Sequence, residues 1–330
     1  MILPEWVNWE DGKLVQVRIS LSSPLRWVNS YLLYGEDGRI TLVDPGPRSP
    51  QIEAEWREVC RALQIVPQQI SSIVVTHHHP DHYGLAGWMQ QRTGAAVRMS
   101  RRCQQEAELM WGKNSRMNDE LPLLYRRHGL PDELMLPMLR HLEGFFSEVH
   151  PAPQVSYIAE GEGFEMGGRS WIPYETGGHA SGHLSFYDPA SGSLLCGDAV
   201  LPQISPNISY LPGGDPAPLR SFLAGLKKIE PLMVTRAYPG HRHPFTHYKE
   251  RIAALLQHHE DRLNRLIGLL AGGPLTAYEL HLLLFGSKLT LHQLRFAMSE
   301  VLAHLVELEH RERVSQDWGR GDVLRYRLAD

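Results

Sequence analysis

The chain is poor in the features that mark many specialised classes of protein. Only three cysteines, Cys60, Cys103 and Cys196, occur in 330 residues, and their odd number and wide spacing argue against a disulfide framework. No run approaches the ~20 consecutive apolar residues that a membrane span requires. Met1-Ile2-Leu3-Pro4-Glu5-Trp6 has neither a basic segment nor a long apolar core, so no secretory signal is expected and the cytoplasm is the expected compartment. Charge of one sign is also missing. A net charge of -4 and a pI near 6.5 give no global field for attracting nucleic acid or an anionic membrane.

What the chain has in plenty is histidine, with 18 in all. Four of them stand in Thr76-His77-His78-His79-Pro80-Asp81-His82, directly after the apolar run Ile73-Val74-Val75. Core packing does not account for that density of ligand side chains at a strand end. His77 and His79 are two apart, so in an extended chain both imidazoles face one way and reach one ion. Pro80 suits a turn, and Asp81 is placed to cap the helix that follows. A solvated, tag-like histidine run would not follow a buried strand or contain an aspartate.

Three later segments repeat the pattern of a short apolar strand ending in a metal-binding side chain. Gly177-Gly178-His179 sits in a glycine-rich turn, where the backbone can approach an ion closely. Leu194-Leu195-Cys196-Gly197-Asp198 ends in a carboxylate, and Ala237-Tyr238-Pro239-Gly240-His241 ends in an imidazole. Cys196 lies two before Asp198 and, on a regular strand, would share its face; a small buried residue is preferred over a thiol at the site.

In this order the segments resemble the metallo-β-lactamase superfamily, whose signature is His-x-His-x-Asp-His, a Gly-His turn, a Gly-Asp and a Pro-Gly-His. The resemblance runs over roughly residues 15–245, and Asp44 in Val43-Asp44-Pro45-Gly46 looks like the superfamily's early Asp-x-Gly turn. It implies an α+β fold, a four-layer αββα sandwich with a two-metal centre at one edge. It also implies His77, His79 and His179 on one ion, Asp81, His82 and His241 on the other, and Asp198 bridging. Asp44 would support a ligand by a hydrogen bond. Zinc is the favoured ion, with iron or manganese as alternatives. Two such ions would share a bridging hydroxide as nucleophile, with Asp81 orienting it.

The length suits one large and one small domain, divided as 1–247 and 248–330. Within the first, residues 101–149 form a helical insertion that a minimal member of the superfamily does not require. Its Met and aromatic residues at helical spacing fit packing onto the body. A lid is the sharper reading, with Trp111, Met117, Tyr125 or Phe145 lining a pocket for an apolar acyl or aryl group. The loop after Asp198 offers Ser205, Asn207 and Tyr210 for substrate contact, and His183 is a candidate for protonating a leaving group.

From residue 248 onward, three amphipathic helices and a hairpin around Gly319-Arg320-Gly321 read as a winged-helix pattern. It resembles the C-terminal domain of a superfamily branch that includes ribonucleases. Residues 246–330 carry 11 Lys plus Arg against 11 Asp plus Glu. The third helix offers Arg295 against Glu300, Glu307 and Glu309, so nucleic acid is not the favoured partner; Arg320, Arg325 and Arg327 could still touch phosphate at the wing. A structural or homodimer-forming role is expected for this domain. The function expected first is hydrolysis of a small ester, thioester or lactone. An endoribonuclease and an iron-dependent oxidoreductase of the same fold are the alternatives.

Overall fold

The computed structural model describes residues 5–21, 25–112, 115–319 and 322–329. The first sheet has seven strands in spatial order: β1 (Glu5–Trp9), β2 (Leu14–Ser20), β3 (Trp27–Tyr34), β4 (Ile40–Val43), β5 (Ile70–Val74), β6 (Ala96–Met99) and β7 (Val155–Tyr157). The pairs from β1 to β4 are antiparallel, and those from β4 to β7 are parallel. Parallel neighbours need long crossovers. These are α1 (Pro50–Ala62) between β4 and β5, and α2 (Pro80–Tyr83) with α3 (Ala86–Thr93) between β5 and β6. The local sequence starts α1 where it does: Pro50 stands at its first turn and the Ser49 side chain accepts from the Ile52 N–H at 3.2 Å. The connection from β6 to β7 is helical, formed by α4 (Arg101–Trp111), α5 (Met117–Arg127) and α6 (Met135–Glu143).

The second sheet comprises β8 (Phe164–Met166), β9 (Arg169–Glu175), β10 (Leu184–Asp188), β11 (Ser193–Gly197) and β12 (Arg236–Pro239). Only β11 and β12 are parallel, linked by α7 (Pro218–Ile229). The two sheets face each other across a core that includes Leu33, Val43 and Val74 from the first and Trp171, Phe186 and Leu195 from the second. Their alternate residues, such as Leu32, Ile73 and Leu194, point outward beneath helices carrying Trp56, Val59, Phe222 and Leu226. The period-2 alternation of strands that are apolar on both faces thus requires a helical layer on each side. The αββα sandwich is the result.

The C-terminal part contains α8 (Tyr248–Leu270), α9 (Ala277–Phe285), α10 (Leu291–His310) and the hairpin β13 (Val314–Trp318) with β14 (Leu324–Leu328). Capping boxes start α9 at Thr276 and Glu279 and α10 at Thr290 and Gln293. Helix α10 is the one that would enter the groove in a nucleic-acid reader. It packs against α6, α7, α8, α9 and β13, and Arg295, Glu300 and Glu307 are buried along with its apolar residues. No face of it is left to read a groove. Arg325 donates to the Pro274 carbonyl at 3.0 Å and pairs with Glu279 at 3.4 Å; Arg320 lies outside the described residues. Among the described residues no helix is long and apolar enough to cross a membrane.

Candidate metal centre

The candidate ligands gather because one edge of the sandwich collects the C-terminal ends of four strands. Asp44 follows β4, His77 and His79 follow β5, Asp198 follows β11 and His241 follows β12. His179 lies in the turn between β9 and β10, and Asp81 and His82 lie on α2. The backbone is tightly constrained here. Gly197 takes φ +48°, and a Cβ on Gly240 would lie 2.2 Å from Asp198 Oδ1 and 2.6 Å from His82 Cε1. Gly240 is therefore required by close approach. Asp44 takes φ +53°, sparsely populated for a residue with a side chain. It is held there by Thr76, whose N–H and hydroxyl both donate to its carboxylate at 2.7 Å.

The tautomers of four imidazoles follow from their partners. Asp44 Oδ2 accepts from His82 Nδ1 at 2.9 Å, the Asn207 carbonyl from His179 Nδ1 at 2.7 Å, and the Trp27 carbonyl from His241 Nδ1 at 3.1 Å. The Thr76 hydroxyl spends its proton on Asp44, so it accepts from His77 Nδ1 at 2.9 Å. Carbonyl and carboxylate oxygens only accept, so each Nδ1 carries hydrogen, and Nε2 is the nitrogen whose lone pair the neutral ring can offer to an ion. Those lone pairs point inward. His77 Nε2, His82 Nε2, His179 Nε2 and Asp198 Oδ1 are all buried without a hydrogen-bond partner. Four such atoms in one place are hard to reconcile with a site meant to hold nothing.

Two groups emerge. The ligand atoms of His77, His79 and His179 lie within 4.8 Å of one another, as do those of Asp81, His82 and His241. Asp198 stands between them, 3.5 Å from His179 Nε2, 3.3 Å from His241 Nε2 and 3.6 Å from His82 Nε2. Burial pushes His77, His79 and His179 below the ordinary imidazole range. Burial opposes charge on His82 and His241 too, yet Asp198 and Asp81 outweigh it, raising His82 and lifting His241 to about 10. One group is thus neutral imidazole and the other rich in carboxylate. Five imidazoles and two carboxylates suit divalent ions of the zinc, iron and manganese type.

Several expected roles do not survive. His183 is fully buried; its Nε2 accepts from the Asp198 N–H at 3.0 Å and its Nδ1 meets the Thr176 hydroxyl at 2.8 Å. It fixes the backbone that presents Asp198 and has no free nitrogen for a leaving group. Trp111 donates to the His78 carbonyl at 3.0 Å, bracing the loop between His77 and His79. Tyr125 is fully buried, and its hydroxyl is taken by Ser299 and the Arg295 carbonyl. Phe145, by contrast, is not excluded from its expected place: it is half-buried beside Trp111. Asn207 contributes its carbonyl to His179 while its side chain donates to Glu300 at 2.9 Å. Tyr210 is tied through its N–H to the Ser299 carbonyl, also on α10. Asp81 does not cap α2; it is in the first turn after His79. Cys196 does not face the site, because the register shifts at Gly197 and its thiol donates to the Val200 carbonyl at 3.2 Å. Residues that carried no signal in the sequence are Thr76, Trp27 through its carbonyl, and Glu300.

Comparison with known proteins agrees with this geometry. Residues 25–241 match the metallo-beta-lactamase superfamily and residues 263–329 a metallo-beta-lactamase-like C-terminal domain. A probable metallo-hydrolase of Bacillus subtilis, YqjP, is 27% identical over 313 residues, 92% of this chain and 95% of its own length. A hydroxyacylglutathione hydrolase of Pseudomonas aeruginosa is 25% identical over 222 residues, 65% of this chain and 61% of that enzyme. A metallo-beta-lactamase family protein of Thermus thermophilus superposes with a TM-score of 0.85 at 32% identity, covering 96% of this chain and 98% of that one. A beta-lactamase domain protein of Burkholderia ambifaria gives 0.87 at 30%, covering 98% and 94%. With the match spanning the whole ligand-bearing edge, this chain belongs to the metallo-beta-lactamase superfamily and is a metallo-hydrolase of that group.

Proposed function

We propose that the protein hydrolyses a small thioester, ester or lactone at a two-ion centre held by His77, His79, His179, Asp81, His82, His241 and Asp198. The observation that carries this reading is the convergence of His77 Nε2, His82 Nε2, His179 Nε2 and Asp198 Oδ1, all buried and unpartnered. Two divalent ions there would polarise a carbonyl and lower the pKa of a water between them. The protein's own groups do the rest. Asp44, Thr76, Asn207 and the Trp27 carbonyl fix the imidazole tautomers, and His183 fixes the Asp198 backbone. His79 and Asp81 are the less buried members of the set and so its most accessible edge. There Asp81 accepts a hydrogen bond from the attacking water and aims it. A thioester is favoured among the substrates by the likeness to hydroxyacylglutathione hydrolase, although the match leaves out over a third of that enzyme.

The test is elemental analysis of the purified protein beside a hydrolysis panel of thioesters, esters, lactones and RNA. About two zinc or manganese ions per chain, with turnover of one of the first three that is lost on chelation and regained on readdition, is expected. Iron with oxygen-dependent turnover, or chelation-sensitive cleavage of RNA alone, would overturn it.

A further inference from the structure

Two half-buried guanidinium groups are neutralised by carboxylates: Arg169 pairs with Glu10 and Asp188, and Arg262 with Glu300. Arg251, also half-buried, is held by the Leu201 and Ile204 carbonyls. Arg295 on α10 is the most buried arginine described, and it has neither kind of partner. It is 8% exposed, its Nε is buried without a partner, and no carboxylate pairs with it among the described residues. Its guanidinium lies instead between two rings, 5.0 Å from the Phe145 centroid and 4.5 Å from that of Phe296. Aromatic faces attract a cation, but they do not satisfy its donors. Burial holds its pKa below the ordinary guanidinium value. A buried cation without an anion is costly to retain, and is usual where a ligand supplies the missing charge.

The surroundings indicate which ligand. His292, one turn before Arg295 on α10, meets His141 of α6 with Nδ1 and Nε2 3.3 Å apart. Phe145 contacts both rings, at 5.1 Å from His141 and 6.0 Å from His292. Burial and the Arg295 charge both press these imidazoles toward the neutral form, His292 to about 4. Each has a second nitrogen that no described residue occupies, so the pair can add an N–H donor without a competing charge. The cluster adjoins the metal centre. The charge of Asp81 acts on His292, and Phe145 packs on Trp111, which holds the His78 backbone.

We propose that Arg295, with His141 and His292, forms an anion-recognition subsite beside the metal centre that receives a carboxylate on the substrate, with Phe145 and Phe296 flanking its apolar body. The planar fork of the guanidinium matches a carboxylate with two parallel N–H···O bonds. The substrate is then an acidic acyl compound, cleaved at one end and recognised at the other. The identity of the reaction rests on the hydrolase reading above; the binding of the anion does not.

The experiment is titration calorimetry on the metal-loaded protein with glutarate, its neutral diamide and inorganic phosphate, for the wild type, R295M and R295K. Glutarate is expected to bind the wild type about tenfold or more tightly than the diamide. R295M should lose that preference at unchanged metal content, and R295K should keep part of it. Glutarate binding to R295M as tightly as to the wild type would overturn the subsite, and Arg295-dependent preference for phosphate over glutarate would overturn the carboxylate. Thermal melts separate function from folding. A costly unpaired charge predicts that ligand-free R295M melts no lower than the wild type, whereas failure to fold or a clearly lower melting temperature would make Arg295 a structural residue and overturn the proposal. Because calorimetry needs no turnover, an Arg295-dependent glutarate signal without hydrolysis of any ester would sink the hydrolase reading and leave the subsite standing.

Discussion

Two clusters of buried histidine occupy this molecule, and they differ in what surrounds their nitrogens. In the C-terminal helices, His304 Nδ1 donates to the Glu300 carbonyl at 2.7 Å, so its Nε2 accepts from His259 Nδ1 at 3.0 Å. The chain ends at His259 Nε2, which lies bare near the edge of Phe222 at a ring separation of 5.3 Å. Burial presses both toward neutrality, His259 to about 2 and His304 to about 3. The bare nitrogens are Nε2 of His259 and Nε2 of its half-buried neighbour His258, and the carboxylate of Glu300, whose carbonyl takes the His304 proton, is spent on Arg262 and Asn207. At the sandwich edge several bare atoms converge, with Asp81 and Asp198 among them. Burial of imidazole is common to both clusters. Convergence of lone pairs beside carboxylates belongs to one, and that difference distinguishes a ligand set from a satisfied core.

The largest expected effect comes from removing the carboxylate that touches both groups. Asp198→Ala should lower metal content below two per chain and slow turnover about 1,000-fold or more, since ions at such sites contribute several kcal/mol to the barrier. His304→Leu should leave metal content untouched. Equal metal content in the two variants would erase the distinction between the clusters. Next in size is Gly240→Ala. Its Cβ would lie 2.2 Å from Asp198 Oδ1, so the carboxylate must shift, and a displacement of about 1 Å costs on the order of 100-fold in rate. Gly268, on α8, has nothing within 4 Å of its added Cβ, and Gly268→Ala should leave activity as it was. A full-rate Gly240→Ala enzyme would mean that Asp198 does not act from the position described.

One physical connection links the two regions. Arg262 holds Glu300, Glu300 accepts from the Asn207 side chain, and the Asn207 carbonyl orients His179. Glu300→Ala is therefore expected to weaken metal binding about 10-fold, the lower end for groups that orient a ligand without touching the ion. A competition titration against a chromogenic chelator reads this directly. An unchanged affinity would show that α10 covers the site without bracing it.

The candidate ligands could be picked out because most of them stand at or shortly after a strand end, and all stand in short local patterns. His77, His79, Asp81 and His82 announce themselves by density, and Gly178-His179, Gly197-Asp198 and Pro239-Gly240-His241 by glycine beside a metal-binding side chain. The αββα layering was legible through the resemblance those motifs carry. What failed were several assignments that depended on distant packing, although Asp44 does support His82 as expected. Trp111 and Tyr125 have the composition of a pocket wall, but their polar atoms are taken by the His78 carbonyl and by α10. His183 has the composition of an acid catalyst, but its neighbours across the sheet take both nitrogens. Arg295 counted in the sequence only as the lone basic residue early in the third helix, and folding buries it next to Phe145. Local sequence specifies which atoms a residue has; only the fold specifies which remain free.

The smallest effect sharpens the core side of the comparison. His304→Leu alone strands the His259 Nδ1 donor and should cost about 1–3 kcal/mol, whereas replacing both histidines with leucine removes donor and acceptor together and should cost less. The pair also carries a pH signature. Both are held neutral in the fold by burial, well below the ordinary imidazole pKa. Above about pH 6.5 neither state protonates them and they cost nothing. As pH falls below that value the unfolded chain takes up protons that the folded one refuses, so stability declines by up to about 1.4 kcal/mol per pH unit for each group until the fold yields. Denaturant melts of the wild type and the double-leucine variant between pH 7 and pH 4 compare the two slopes with every metal ligand unchanged. A shallower acid decline in the variant is expected. Parallel slopes would mean that the acid sensitivity resides wholly at the metal edge, and that His259 and His304 take up protons in the fold as readily as out of it.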